Sequence, residues 1–80
     1  MQFTACYTKL ENGYMGKLLE WPTVITEGDS LDDCRDLLTE AASEMAELYR
    51  DEGMKIPHPS LTIETVYVPV EEEALLVNVS

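Results

Sequence analysis

Positive charge is scarce in this chain. Its 80 residues carry five Lys and Arg against sixteen Asp and Glu, a net charge of −11 with the histidine neutral. Contacts to nucleic-acid phosphates and to anionic lipid headgroups need clustered cations, and the five here are scattered from Lys9 to Lys55. The composition therefore speaks against direct nucleic-acid binding and against a membrane surface. Histidine and cysteine are nearly missing too: His58 is the sole histidine, and Cys6 and Cys34 are far apart. No Cys/His set with zinc spacing exists, and neither a metal nor another cofactor is expected. His58 lies between Pro57 and Pro59, and no triad order joins it to a nucleophile such as Ser60, so enzymatic chemistry is not expected. Nor is there an apolar run near the roughly 20 residues of a membrane span, or a basic leader with a cleavage site. A cytoplasmic protein is the expectation, and in that reducing setting a Cys6–Cys34 disulfide is disfavoured.

What remains suffices for one small domain over residues 1–80. Hydrophobic residues make up 45% of the chain, which argues for a buried core and against disorder. Gln2 to Leu10 alternates Phe3, Ala5 and Tyr7 with Gln2, Thr4 and Thr8, the period of a half-buried strand, with Cys6 expected to be buried or half-buried. Asn12-Gly13 favours a tight hairpin turn, and Tyr14 to Glu20 reads as the returning strand. Trp21-Pro22 interrupts the pattern, and Thr23 to Thr26 resumes as a short β-branched strand. Ser30 stands where a helix N-cap should, Asp33 follows as its capping partner, and Gly53 with Pro57 and Pro59 ends the helix. The helix is predicted from Leu31 to Asp51. Beyond it, Leu61 to Val70 alternates as a further strand with Pro69 at an edge, and Ala74 to Val79 can add a last one. The order is βββαβ(β), an α+β two-layer domain with one helix on one face of a mostly antiparallel sheet. So small a sheet must cover its strand edges, and a homodimer or higher homo-oligomer would cover one.

The helix carries the strongest functional signal. At about 100° per residue, Asp36, Glu40, Glu44, Glu47 and Asp51 fall within one sector of roughly 80°. Leu31, Cys34, Leu38, Ala41, Met45 and Leu48 gather opposite. A charged face is often only the solvated side of an amphipathic helix, but a solubilising face normally mixes both signs. Between Leu31 and Glu52 there are eight acidic residues against Arg35 and Arg50. Like charges at i,i+4 cost about 0.2–0.5 kcal/mol per pair, so stability alone does not explain the stripe. A basic protein surface is the partner it suits. Trp21 and Tyr67 are aromatic candidates for anchoring such a contact, and equally for packing in the core or at a dimer interface.

Three stretches stand in a telling order: the hairpin with Gly13-Tyr14; the run from Trp21-Pro22 through Gly28-Asp29-Ser30-Leu31-Asp32-Asp33; and Gly53-Met54-Lys55-Ile56-Pro57-His58-Pro59-Ser60. Together, over roughly residues 2 to 70, they resemble the HicB family of antitoxins. Members of that family carry Leu-Pro-Gly before a small strand, Gly-Asp-Ser/Thr-Leu-Glu-Glu into the helix, and Gly-x-x-Ile-Pro-x-Pro-Ser after it. The resemblance implies a reduced RNase H-like fold, assembly into dimers or larger oligomers, and a partner. That partner is a HicA-like toxin, a small basic mRNA-cleaving protein whose active surface the antitoxin masks. It implies partner-binding roles for Asp36, Glu40, Glu44, Glu47, Asp51 and Trp21. The chain departs from the pattern at Trp21-Pro22-Thr23-Val24, where the family often has Leu-Pro-Gly-Cys. It also reaches Ser80 with no room for the C-terminal DNA-binding domain of many members, which puts autorepression by this chain in doubt. Metal-bound carboxylates of the RNase H kind would have to converge in a pocket, whereas these acids line a helix exterior; the run Glu71-Glu72-Glu73 reads as a solvated turn. The alternative is an orphan homo-oligomeric scaffold or small-ligand module that kept the fold without a toxin. A mimic of DNA ranks lower, because a helix of about 31 Å offers too short a row of charges.

Overall fold

The computed structural model describes residues 1–71, and the expected strand Ala74 to Val79 lies outside them. Strand β1 (Ala5–Leu10) turns through Glu11-Asn12 into β2 (Gly13–Leu18), paired antiparallel from Ala5 with Leu18 to Leu10 with Gly13. Asn12-Gly13 does mark the hairpin, but Glu11 and Asn12 are its loop residues, and Gly13 already belongs to the ladder with a φ of 143° that favours glycine. Strand β2 is shorter than expected. Leu19 still donates to the Thr4 carbonyl at 2.8 Å, but Glu20 turns its carboxylate towards Thr4 and the chain bends away.

The next strand, β3 (Ile25–Gly28), starts two residues later than the pattern suggested and pairs antiparallel with β2, from Tyr14 with Gly28 to Lys17 with Ile25. The shift has a local cause. Trp21, Pro22 and Thr23 form a tight turn in which Val24 donates to the Trp21 carbonyl at 2.9 Å, and Val24 enters the core. The sheet order is β1-β2-β3.

Helix α1 (Leu31–Asp51) has the bounds that its caps predict. Ser30 Oγ accepts from the Asp33 N–H at 3.0 Å, and the Asp33 carboxylate reaches back to the Asp29 N–H at 3.0 Å. At the other end Gly53, with φ of 70°, donates to the Arg50 carbonyl while Met54 donates to that of Tyr49, the paired bonds of a left-handed helix stop.

The core is small and lies between α1 and the β2–β3 half of the sheet. Leu18, Trp21, Val24, Cys34 and Leu38 are buried, with Phe3, Tyr7, Ala41, Ala42, Met45, Ala46, Tyr49 and Ile56 packed partly around them. Five helix positions differ from expectation: Leu31 and Leu48 are exposed, while Ala42, Ala46 and Tyr49 turn inward. Close approach of helix and sheet depends on glycine. A Cβ on Gly28 would lie 2.6 Å from the Cys34 nitrogen, and one on Gly16 would lie 3.0 Å from the Cys34 sulfur. Gly28 has no positive φ, so contact with the helix rather than a sharp turn demands it. Cys6 projects from β1 on the face away from the helix and is exposed, contrary to expectation. Both cysteines are free.

The largest departure concerns Leu61 to Val70. The segment forms no strand, and Leu61, Ile63, Val66, Tyr67, Val68 and Val70 are all exposed. Alternation prepares two faces but supplies no partner, and a strand exists only when its backbone finds an edge. Among the described residues, no helix is long and apolar enough to cross a membrane.

Candidate functional site

The acidic stripe follows from helical periodicity once the opposite face is fixed by burial. Cys34 and Leu38 sit on the sheet, so Asp36, Glu40, Glu44, Glu47 and Asp51 face away from it, and all five are exposed. They run along about 22 Å of helix at 1.5 Å per residue. The nearby cations are engaged elsewhere or weakly. Arg35 bonds Asp32 at 2.6 Å and lies 5.9 Å from the Tyr7 ring centre, on the flank away from the stripe. Arg50 approaches Asp51 only to 3.9 Å, with both side chains mostly in solvent, where an ion pair contributes little. Among the described residues, Asp36, Glu40, Glu44 and Glu47 make no salt bridge.

Two leucines border this acidic sector. Leu37 and Leu48 are 36% and 50% exposed, and on the helix they fall between the carboxylates and Ala41. Helical periodicity alone groups Leu48 with the core side and does not distinguish Leu37. Their signal was nevertheless present, since both lie off the centre of the buried arc. A partner that meets the stripe meets apolar surface beside it, the combination of polar rim and anchor that interfaces use.

Trp21 does not belong to this surface. Its side chain is 2% exposed, with ring centres 5.9 Å from Phe3 and 4.9 Å from Tyr49, so it packs the core instead of offering an anchor. The bend at Pro22 folds it inward beneath the helix. Tyr67, by contrast, is 88% exposed.

A second feature has no local sequence signal, because segments distant along the chain build it. Between β1 and the near flank of α1 runs an open, largely apolar groove of about 470 Å³, bordered by Phe3, Ala5, Tyr7, Leu38, Ala42 and Ile56. It exists because the helix packs on β2 and β3 and leaves β1 uncovered. His58 stands at one end of this region, exposed but not idle: its Nε2 is within hydrogen-bond distance of the Gln2 carbonyl, and its ring meets that of Phe3 edge-on at 4.9 Å. These contacts bring the segment after the helix back to the start of β1.

Glu20 completes the same corner. It is buried, and its two carboxylate oxygens accept from the Thr4 N–H at 2.6 Å and the Thr4 hydroxyl at 2.8 Å. The Thr4 N–H contributes most to holding its pKa below the ordinary glutamate range, with the hydroxyl and nearby His58 adding to the effect against an opposing desolvation. Among the described residues, no three His, Cys, Asp or Glu side chains converge to hold a metal ion. Glu72 and Glu73 of the acidic run lie outside those residues. No protein-family model matches the chain, and no curated protein matches it either.

Proposed function

We propose that this chain is a HicB-like antitoxin that binds and occludes a small basic HicA-like ribonuclease toxin, on a domain related to a reduced RNase H fold. The observation that carries this reading is the acidic helix face, exposed along its whole length, on which Asp36, Glu40, Glu44 and Glu47 make no salt bridge among the described residues. A toxin that binds RNA must present a cationic surface, and a row of carboxylates flanked by Leu37 and Leu48 complements it in charge and in apolar contact. The order of the hairpin, the Gly28-Asp29-Ser30 helix entry and the Gly53 to Ser60 exit supports the family assignment. Inhibition would be steric and electrostatic, with no catalytic step on this chain. The scaffold reading draws on a different observation, the exposed apolar row from Leu61 to Val70, and self-assembly is compatible with toxin binding.

The test pairs the purified chain with the basic protein encoded beside its gene. Stoichiometric suppression of RNA cleavage is expected, as is an affinity loss of at least tenfold for the double variant Glu40→Lys with Glu44→Lys at moderate salt. Absence of binding to such a neighbour, or of any short basic frame there, overturns the antitoxin reading. Inhibition that survives the charge reversal overturns the stripe as the contact surface.

A further inference from the structure

We propose that Leu61 to Val68 of one copy adds as a strand to the outer edge of β1 in a second copy, with the exchange made reciprocally about a two-fold axis. This does not rest on the antitoxin reading. Four observations converge on it. First, β1 is an edge strand: among the described residues its only sheet partner is β2, so a row of N–H and C=O groups faces outward. Second, the groove alongside that edge is apolar and uncovered, bordered by Ala5 and Tyr7 of β1 itself and by Leu38 and Ala42 of the helix. Third, the chain contains a segment of matching length and chemistry that, among the described residues, pairs with no strand. Its alternation puts Leu61, Ile63 and Tyr67 on one side, and these are 45%, 61% and 88% exposed. Eight residues comfortably cover the six of β1.

The fourth observation is where this segment departs. His58 holds it to Gln2 and Phe3, at the beginning of β1, and Pro57 and Pro59 keep the chain extended on either side. From there it runs outward and not along its own β1. The principal extents of 51 × 29 × 16 Å and the radius of gyration of 15.9 Å reflect this, against about 12 Å for a compact chain of this length. A two-fold pair satisfies both needs at once, because among the described residues each copy offers an open edge and an unpaired extended segment, and exchanging identical elements is an inexpensive route to a dimer. With Leu61, Ile63 and Tyr67 over the groove, Thr62, Glu64, Val66 and Val68 share the outer face with Cys6. The three-stranded sheet becomes four-stranded in each half. The acidic stripe lies beyond the groove on the helix and remains open in this dimer.

Cys6 provides the probe. Isotopically labelled and unlabelled full-length chains carrying Thr62→Cys or, separately, Glu64→Cys are mixed under reducing conditions, exchanged and mildly oxidised, with matching Cys6→Ser controls. The proposal expects a native mass of twice 9.0 kDa by light scattering. It also expects disulfides between Cys6 and the introduced thiol that join labelled to unlabelled peptides. Bonds confined to chains of one label show that the segment folds onto its own β1, and overturn the exchange. A monomer at about 100 µM, roughly the range in which weak encounters already register, overturns it as well. Ile63→Asp offers an independent check: it should weaken dimerisation at least tenfold while leaving the helical circular dichroism unchanged, since Ile63 is exposed in the single copy. Unaltered dimerisation in that variant also overturns the proposal.

Discussion

An alanine at Gly28 and an alanine at Gly53 are the same chemical change with different consequences. At Gly28 the new methyl would meet the Cys34 nitrogen at 2.6 Å and its Cα at 2.7 Å, backbone atoms of the first helical turn that cannot rotate away. The helix must lift from the sheet, and we expect a loss of about 1–3 kcal/mol in denaturant unfolding. At Gly53 nothing lies within 4 Å, so only the φ of 70° resists, at roughly 1–2 kcal/mol. Asn tolerates that left-handed conformation, so Gly53→Asn should recover much of the stability, whereas Gly28→Asn should recover none. Equal behaviour at the two sites would refute this division between contact and conformation. Glu20 poses a titration problem at the same scale. The bonds from Thr4 lower its folded pKa, so their stabilisation is fully present above the ordinary glutamate value of about 4.3 and is lost as pH falls through the lower folded value. Melting curves between pH 6 and pH 3, taken as approximate bounds around that transition, should show wild type losing its advantage over Glu20→Gln as acid is added. A constant offset between the two proteins would mean that ionisation of Glu20 does not support the corner.

Among the elements, the helix was the most legible in the sequence because its determinants are local. Ser30, Asp33 and Gly53 act on backbone groups within a few residues, and the span Leu31–Asp51 follows from them. Ser30→Ala should therefore cost about 1 kcal/mol, the usual loss of a side-chain cap, while the Asp33 bond to Asp29 persists; a thermal melt indistinguishable from wild type would count against the cap. The acidic stripe was legible for a related reason, since a period of 3.6 places charges without knowledge of what the other face packs on. Strands were legible as pattern and less so as pairing. Asn12-Gly13 located the hairpin, yet β3 began later than its β-branched run because Val24 was taken by the core and Pro22-Thr23 by a turn. Leu61 to Val70 carries an unmistakable alternation and still forms no strand within the described chain, as pairing depends on an edge elsewhere. The groove beside β1 was invisible to any window, being assembled from Phe3, Tyr7, Ala42 and Ile56 at once. Trp21 was ambiguous for the same reason: aromatic character marks both cores and interfaces, and only the bend that turns it under Tyr49 decides.

For the molecule as a whole, charge is the dominant property. A net −11 on 80 residues creates a field that no single contact describes, and the exposed helix face concentrates it along one side. Such a field acts on a cationic partner before contact, raising the rate of productive encounter, while the final affinity depends on the fit of surfaces such as Leu37 and Leu48 with the partner. The two contributions separate by salt. The Debye length shortens from about 14 Å near 0.05 M to about 4 Å near 0.5 M, so long-range steering fades while close apolar contacts persist. On the proposed antitoxin reading, stopped-flow binding to a basic HicA-like toxin should then show an association rate falling tenfold or more over that range, with a much smaller change in dissociation rate. Glu40→Lys with Glu44→Lys should flatten the salt dependence of association, whereas Leu48→Ala should mainly hasten dissociation. If the double charge reversal leaves the slope untouched, steering comes from the diffuse charge of the chain and not from its helix face.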